Sequence, residues 1–142
     1  MSTATWNSTT AATRSDLSPR LLRSYRETAY VCCGVVVRIG RRSAATDALL
    51  RGMGTRHGGF VTAWNPRSRC LLDGVNRRRQ CLLIEHLRRR RFIQAEGGLR
   101  GWREEMLLVA ADPRFLAVLA RRFSQSAIVV LRMNGRARLV VL

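Results

Sequence analysis

Asn134-Gly135 sits between two β-branched runs, 126–133 and 136–142, and this dipeptide constrains the end of the chain more than any other feature. Asn-Gly flanked by alternating apolar residues is the strongest short-range hairpin signal, because a type I′ turn needs positive φ at both central positions. The two runs are therefore expected to pair as antiparallel neighbours. A second adjacent pair of strands, Phe92–Ala95 and Glu105–Ala110, lies just upstream. Between them the segment Glu96-Gly97-Gly98-Leu99-Arg100-Gly101 is expected to be a flexible connection. Residues 105–110 are apolar at alternate positions on both faces, which predicts an interior strand.

The preceding sequence alternates helical and extended signals. Ser18-Pro19 supplies an N-cap with proline at the first helical position, and the helix is expected to run to about Thr28. Ala29 to Ile39 reads as one strand. Ser43 or Thr46 caps a second helix, which carries Leu49, Leu50 and Met53 and stops at Gly52 and Gly54. Gly58-Gly59 introduces a strand, Phe60 to Trp64, which Asn65-Pro66 ends because proline cannot donate to the ladder. A third helix is expected from Val75 to Arg90. Asp112-Pro113 starts a fourth, with Phe115, Leu116, Leu119 and Phe123 as its apolar stripe. Residues 1–15 are rich in Ser, Thr and Ala and are expected to form a disordered tail. The expected architecture is one α+β domain over 16–142. It has a mixed or mostly antiparallel sheet of about five to six strands, about four helices packed on it, and a C-terminal β-hairpin.

A chain of 142 residues suits one domain with its own core. Its longest apolar run, Ala29–Val37, is too short to span a bilayer, and there is no apolar h-region of a secretory signal. Cys32, Cys33, Cys70 and Cys81 form no C-x-x-C pair and read as reduced thiols packed as small hydrophobes. These features point to a cytoplasmic protein. Cys70, Cys81, His57 and His86 match no common zinc spacing, and no metal or cofactor is expected.

All 26 basic residues are arginine, and with nine acids the formal charge is +17. Such a balance suggests an anionic partner, either nucleic acid or a phosphorylated ligand. Codon bias toward arginine in a GC-rich genome accounts for the missing lysine equally well. Aromatic residues, at 6%, are too sparse for an obvious base-stacking platform.

The third helix carries the most informative polar residues. At 100° per residue Asn76, Gln80, Leu83, Ile84 and Leu87 share one stripe, while Arg77, Arg78, Arg79, Arg88, Arg89 and Arg90 occupy the rest of the arc. Glu85 and Arg89 are spaced for an i,i+4 ion pair. An amide facing a core needs hydrogen-bond partners, so Asn76 either orders the loop after Asn65 or lines a polar cleft with it. Glu104 and Glu105 enter a strand on opposite faces. Each is read as an ion-pair partner of a nearby arginine or, if buried in a cleft, as a general base. Trp64 and Trp102 read as core or loop-anchoring residues.

Thr62-Ala63-Trp64-Asn65-Pro66, followed by Asn76, Arg79 and Leu83, resembles the bacterial family catalogued as domain of unknown function 3293. Trp102-Arg103-Glu104-Glu105 with Leu107-Leu108-Val109 resembles its next block, and Phe123-Ser124-Gln125-Ser126-Ala127-Ile128 its last. The family's pattern has glycine where Ser124 stands, so the turn before Gln125 is expected to differ. The resemblance implies a bacterial intracellular protein and brings no assigned activity. Two functions follow as expectations. One is a small basic, non-catalytic module that binds an anionic partner. The other is a small enzyme or small-molecule sensor with a cleft near Asn65, Asn76, Glu104 or Glu105, and Gln125. Thr62, Trp64 and Arg79 complete the set of candidate ligand-binding residues.

Overall fold

The computed structural model describes residues 17–142, and the tail expected over 1–15 lies outside the described residues. The elements are α1 (Pro19–Glu27), β1 (Ala29–Cys32), β2 (Val35–Val37), α2 (Ala44–Gly52), β3 (His57–Val61), a 3₁₀ turn (Pro66–Ser68), α3 (Asp73–His86), β4 (Phe92–Leu99), β5 (Trp102–Val109), α4 (Pro113–Arg122), β6 (Ala127–Arg132) and β7 (Arg138–Val141). Every strand pair is antiparallel, in the order β2-β1-β4-β5-β3-β6-β7. The α+β class and the four helices match expectation. The sheet has seven strands rather than five to six, and it curls into a half-barrel.

The extra strand comes from splitting the run Ala29–Ile39. Cys33 and Gly34 both take positive φ, 52° and 76°, and Cys32 pairs with Val35 across them. A run that looked like one continuous strand is a two-residue I′-type hairpin. The connection expected to be flexible is also regular. Residues 96–99 belong to β4, and Arg100-Gly101, at φ 49° and 80°, makes the same kind of turn into β5. The C-terminal hairpin forms, but its turn differs from expectation. Asn134 has φ 61°, Gly135 is not at positive φ, and the Gly135 N–H donates to the Arg132 carbonyl at 2.9 Å. The tight turn is thus centred on Met133-Asn134. Its tip is held by Asp47, whose Oδ1 accepts the Asn134 N–H at 2.9 Å.

Both faces of the sheet are covered. Val61, Leu107, Val109, Ile128 and Val130 pack with Leu83, Leu87, Leu116 and Leu119 of α3 and α4 on one side. Phe60, Met106, Leu108, Val129 and Leu131 pack with Leu50 and Met53 of α2 on the other. β5 lies at the centre of the seven strands, as its two-faced apolar pattern predicts. The caps behave as read from sequence: Ser18, Ser43 and Asp112 each accept a backbone N–H in the first turn of their helix.

α3 starts two residues before expectation and ends at His86, capped by Leu87 rather than continuing to Arg90. Arg89 is therefore off the helix, and the expected pairing with Glu85 is not among the ion pairs of the described residues. The buried face keeps its register, with Asn76, Gln80 and Leu83 buried.

Gly59 explains how α4 reaches the sheet. A methyl group on it would sit 2.8 Å from Leu116 Cδ1 and 3.0 Å from the Val129 carbonyl oxygen. Overpacking of this kind costs about 1–3 kcal/mol. Gly59→Ala is expected to lower stability by that amount in urea denaturation, whereas Gly52→Ala, which meets open space, should not.

Candidate functional site

β3 stops four residues before Pro66, because the chain bonds with side chains from there on. Thr62 Oγ1 donates to the Glu105 carbonyl at 2.6 Å and accepts the Trp64 N–H at 3.0 Å. Gln80 Oε1 accepts the Ala63 N–H at 2.9 Å, and Arg79 Nε donates to the Ala63 carbonyl at 2.8 Å. Gln125 Nε2 donates to the Trp64 carbonyl at 3.0 Å, and Asn76 Oδ1 accepts the Asn65 N–H at 2.9 Å. Buried backbone groups outside a ladder need partners, and here Thr62 itself, α3 and the turn after α4 supply them. Arg79 also donates to the Phe123 carbonyl at 2.7 Å, so it is a half-buried tie and not part of the solvated arc where its helical position put it. Trp64 is buried, and its Nε1 has no partner among the described residues.

This segment delivers Asn65 to a cleft in the left-handed conformation, at φ 47°. Its Oδ1 accepts from Leu71 N–H at 3.0 Å and from Asn76 Nδ2 at 2.8 Å, and its Nδ2 donates to Glu104 Oε2 at 3.3 Å. The cleft has a volume of about 320 Å³. Glu104, Asn65 and Gln125 provide its polar wall; Trp102, Leu99, Tyr25 and Leu21 provide most of the rest, with Ser68 and Cys70 at one side. Gln125 is presented by the turn after α4. There Ser124 stands at φ 56°, and the Gln125 N–H still donates to the Ala120 carbonyl at 3.0 Å. The expected change of turn does not occur: serine adopts the helix-ending conformation usually given to glycine.

Three of the four residues proposed for a polar cleft, Asn65, Glu104 and Gln125, line this one cavity. Asn76 stands behind Asn65 and holds it. Thr62, Trp64 and Arg79 also turn inward, as supports of the segment rather than walls of the cleft. Glu105 faces away from Glu104, as their adjacency in a strand requires, and contributes its carbonyl. Gln80, a support, was legible as an amide on the Asn76 stripe. Trp102 was read as an anchor, yet it is 42% exposed and forms a cleft wall. Tyr25 had no signal, because only the tertiary fold brings α1 over the β4–β5 hairpin.

Glu104 sets the electrostatics. It is 6% exposed, and burial pushes its carboxyl up to about 7, against which the Asn65 hydrogen bond pulls weakly downward. The ion pair expected for it is absent: among the described residues neither Glu104 nor Glu105 contacts an arginine closely enough to pair. Burial likewise raises the Tyr25 hydroxyl, with the Glu104 charge adding to the effect and a hydrogen bond with Ser68 opposing it. Among the described residues no arginine lines the cleft, in a chain with 26 basic residues. No three of the His, Cys, Asp and Glu side chains among the described residues come together as a metal set.

Residues 61–128 match the model of the family described as "Protein of unknown function (DUF3293)". The resemblance carried by the Thr62–Pro66 block is borne out over that span. The span holds the whole side-chain-tied segment and Asn65, Glu104 and Gln125 of the cleft. No curated protein and no solved structure matches the chain.

Two predictions follow from this geometry. Asn76→Leu strands the Asn65 N–H and the Leu71 carbonyl, and unpaired buried groups cost about 1–3 kcal/mol each. Arg78→Ala changes an exposed side chain and should cost less than about 0.5 kcal/mol. Paired denaturation curves check the difference.

Glu104 makes stability depend on pH. The unfolded chain loses this proton near pH 4.5 but the folded protein holds it until about 7. Stability therefore falls as pH rises through that window, by about 3 kcal/mol at most. Glu104→Gln should leave the melting temperature little changed at pH 4 and raise it at pH 8.

Proposed function

We propose, with the family match over residues 61–128 as premise, that the cleft between α1 and the β4–β5 hairpin binds a small planar molecule rich in hydrogen-bond donors. In this reading Glu104 receives the donor or its proton. The observation that carries it is a buried, unpaired carboxyl facing a cavity that contains no arginine. Burying such a group without a cation costs stability, and the cost is understandable if a ligand supplies the missing partner. Gln125 spends its Nε2 on the Trp64 and Phe123 carbonyls, which leaves its Oε1 acceptor for an occupant. Trp102, Tyr25, Leu21 and Leu99 offer apolar surface to a flat ring. Amidines and aminated heterocycles have this chemistry. An anionic ligand fits poorly, because the only formal charge at the wall is negative when Glu104 ionises.

A carboxyl that titrates near neutrality can also act as a general base or acid. The same site therefore serves an enzyme that moves a proton on its ligand, or a sensor that responds to it. No helix among the described residues is long and apolar enough to cross a membrane. We place the protein in the reducing cytoplasm of a bacterial cell, a reading supported by four free cysteines and by the family resemblance.

Calorimetric titration with benzamidine, adenine and nicotinamide tests the proposal. Benzamidine should bind about ten-fold or more tightly at pH 8 than at pH 5.5, following ionisation of Glu104. Glu104→Gln should abolish that pH dependence, and Arg78→Ala should keep it. Failure of all three probes to bind, or binding indifferent to Glu104→Gln, contradicts the proposal.

A further inference from the structure

At the other end of β3 lies a larger groove, of about 640 Å³, walled by Arg51, Arg56, His57, Arg132 and Asn134. A second cavity adjoins it through His57 and Arg132 and adds Arg136 and Arg138. Among the described residues neither cavity is lined by an acidic residue. The ion pairs among the described residues are Arg42–Asp47, Arg100–Glu27 and Arg103–Glu96, so these five groove arginines have no carboxylate partner there. All five are exposed. What sets this end apart is that five such arginines line two cavities that share His57 and Arg132.

The groove is also built on fixed elements. His57 and Arg132 face each other in the β3–β6 register. The Met133 N–H donates to the Arg56 carbonyl at 2.8 Å, and Asp47 holds the Asn134 N–H at the hairpin tip. Guanidinium groups on such a frame are suited to phosphate, which they grip through paired hydrogen bonds. The five arginines are exposed and distributed over two adjoining cavities, so they suit a row of phosphates better than a single buried one. Among the described residues no Phe, Tyr or Trp lines either cavity, and single strands are usually held by stacking on such rings.

We propose that this end of the protein binds the phosphate backbone of duplex nucleic acid, without reading bases. The surface is separate from the Glu104 cleft and does not depend on the ligand proposed there.

Anisotropy of a labelled 20-base-pair duplex, measured with the full chain across a salt series, tests the proposal. Each phosphate contact contributes about −0.9 to the slope of log affinity against log salt. Arg51→Gln/Arg56→Gln/Arg132→Gln should flatten the slope by about 3 and weaken binding more than ten-fold at low salt. Arg77→Gln/Arg78→Gln/Arg122→Gln, which removes equal charge from exposed positions outside the groove, should change the slope much less. The single variant Arg56→Gln should flatten it by about 1. Three results would each overturn the assignment: no duplex binding at low salt, equal losses in the two triple variants, or groove-dependent binding of anionic vesicles with no duplex binding.

Discussion

The rest of the molecule depends on how the chain leaves β3. Ala63, Trp64 and Asn65 run through buried space without a neighbouring strand, and each unpaired amide there would cost about 1–3 kcal/mol. Thr62, Asn76, Arg79, Gln80 and Gln125 meet those groups one by one. α3 is thus positioned by hydrogen bonds from its first turns as well as by Leu83 and Leu87 packing below. A helix held at that height leaves Asn65 free to turn outward toward Glu104, and the cleft exists because of it.

Backbone strain gathers at the same place. Asn65, Arg67, Ser68 and Ser124 all have positive φ without being glycine, and the Arg67 N–H donates to the Ser124 carbonyl at 2.6 Å. Asn65 and Ser68 line the cleft and Ser124 presents Gln125 to it. Strained conformations persist where the surroundings over-determine them and tend to cluster at working sites. Glu104 adds a second cost in the same cleft. Stability is sacrificed at one end of the sheet, where the cleft sits, and five exposed arginines without a carboxylate partner among the described residues line two cavities at the other.

Much of this was legible in the sequence, for identifiable reasons. Helix caps at Ser18, Ser43 and Asp112 are local chemistry, and each formed as expected. The Asn76 stripe is a matter of helical period, and burial follows it. Cys33-Gly34 was hidden because a two-residue turn inside an apolar run leaves the pattern looking continuous. The glycines at 97 and 98 suggested a loop but serve a strand. At Gly97 an added methyl would meet the tip of the Met106 side chain, Cε at 2.7 Å, which would have to move aside. Of the site, Asn65, Glu104 and Gln125 were visible as polar residues at element ends. Arg79 looked solvated because helical position alone cannot reveal the two carbonyls it reaches. Tyr25 and Trp102 became cleft walls through contacts between elements far apart in sequence.

The account stands on a Glu104 whose carboxyl is held so high by burial that it is still about half protonated at neutral pH. The direct measurement is a carbon-13 NMR titration of the glutamate side-chain carboxyls, with Glu104 assigned by its loss in Glu104→Gln. The account predicts a midpoint near 7 for Glu104, well above the ordinary glutamate value of about 4.3. A midpoint at that ordinary value would mean the carboxyl is solvated or paired, and the cleft would lose the feature on which its proposed chemistry rests.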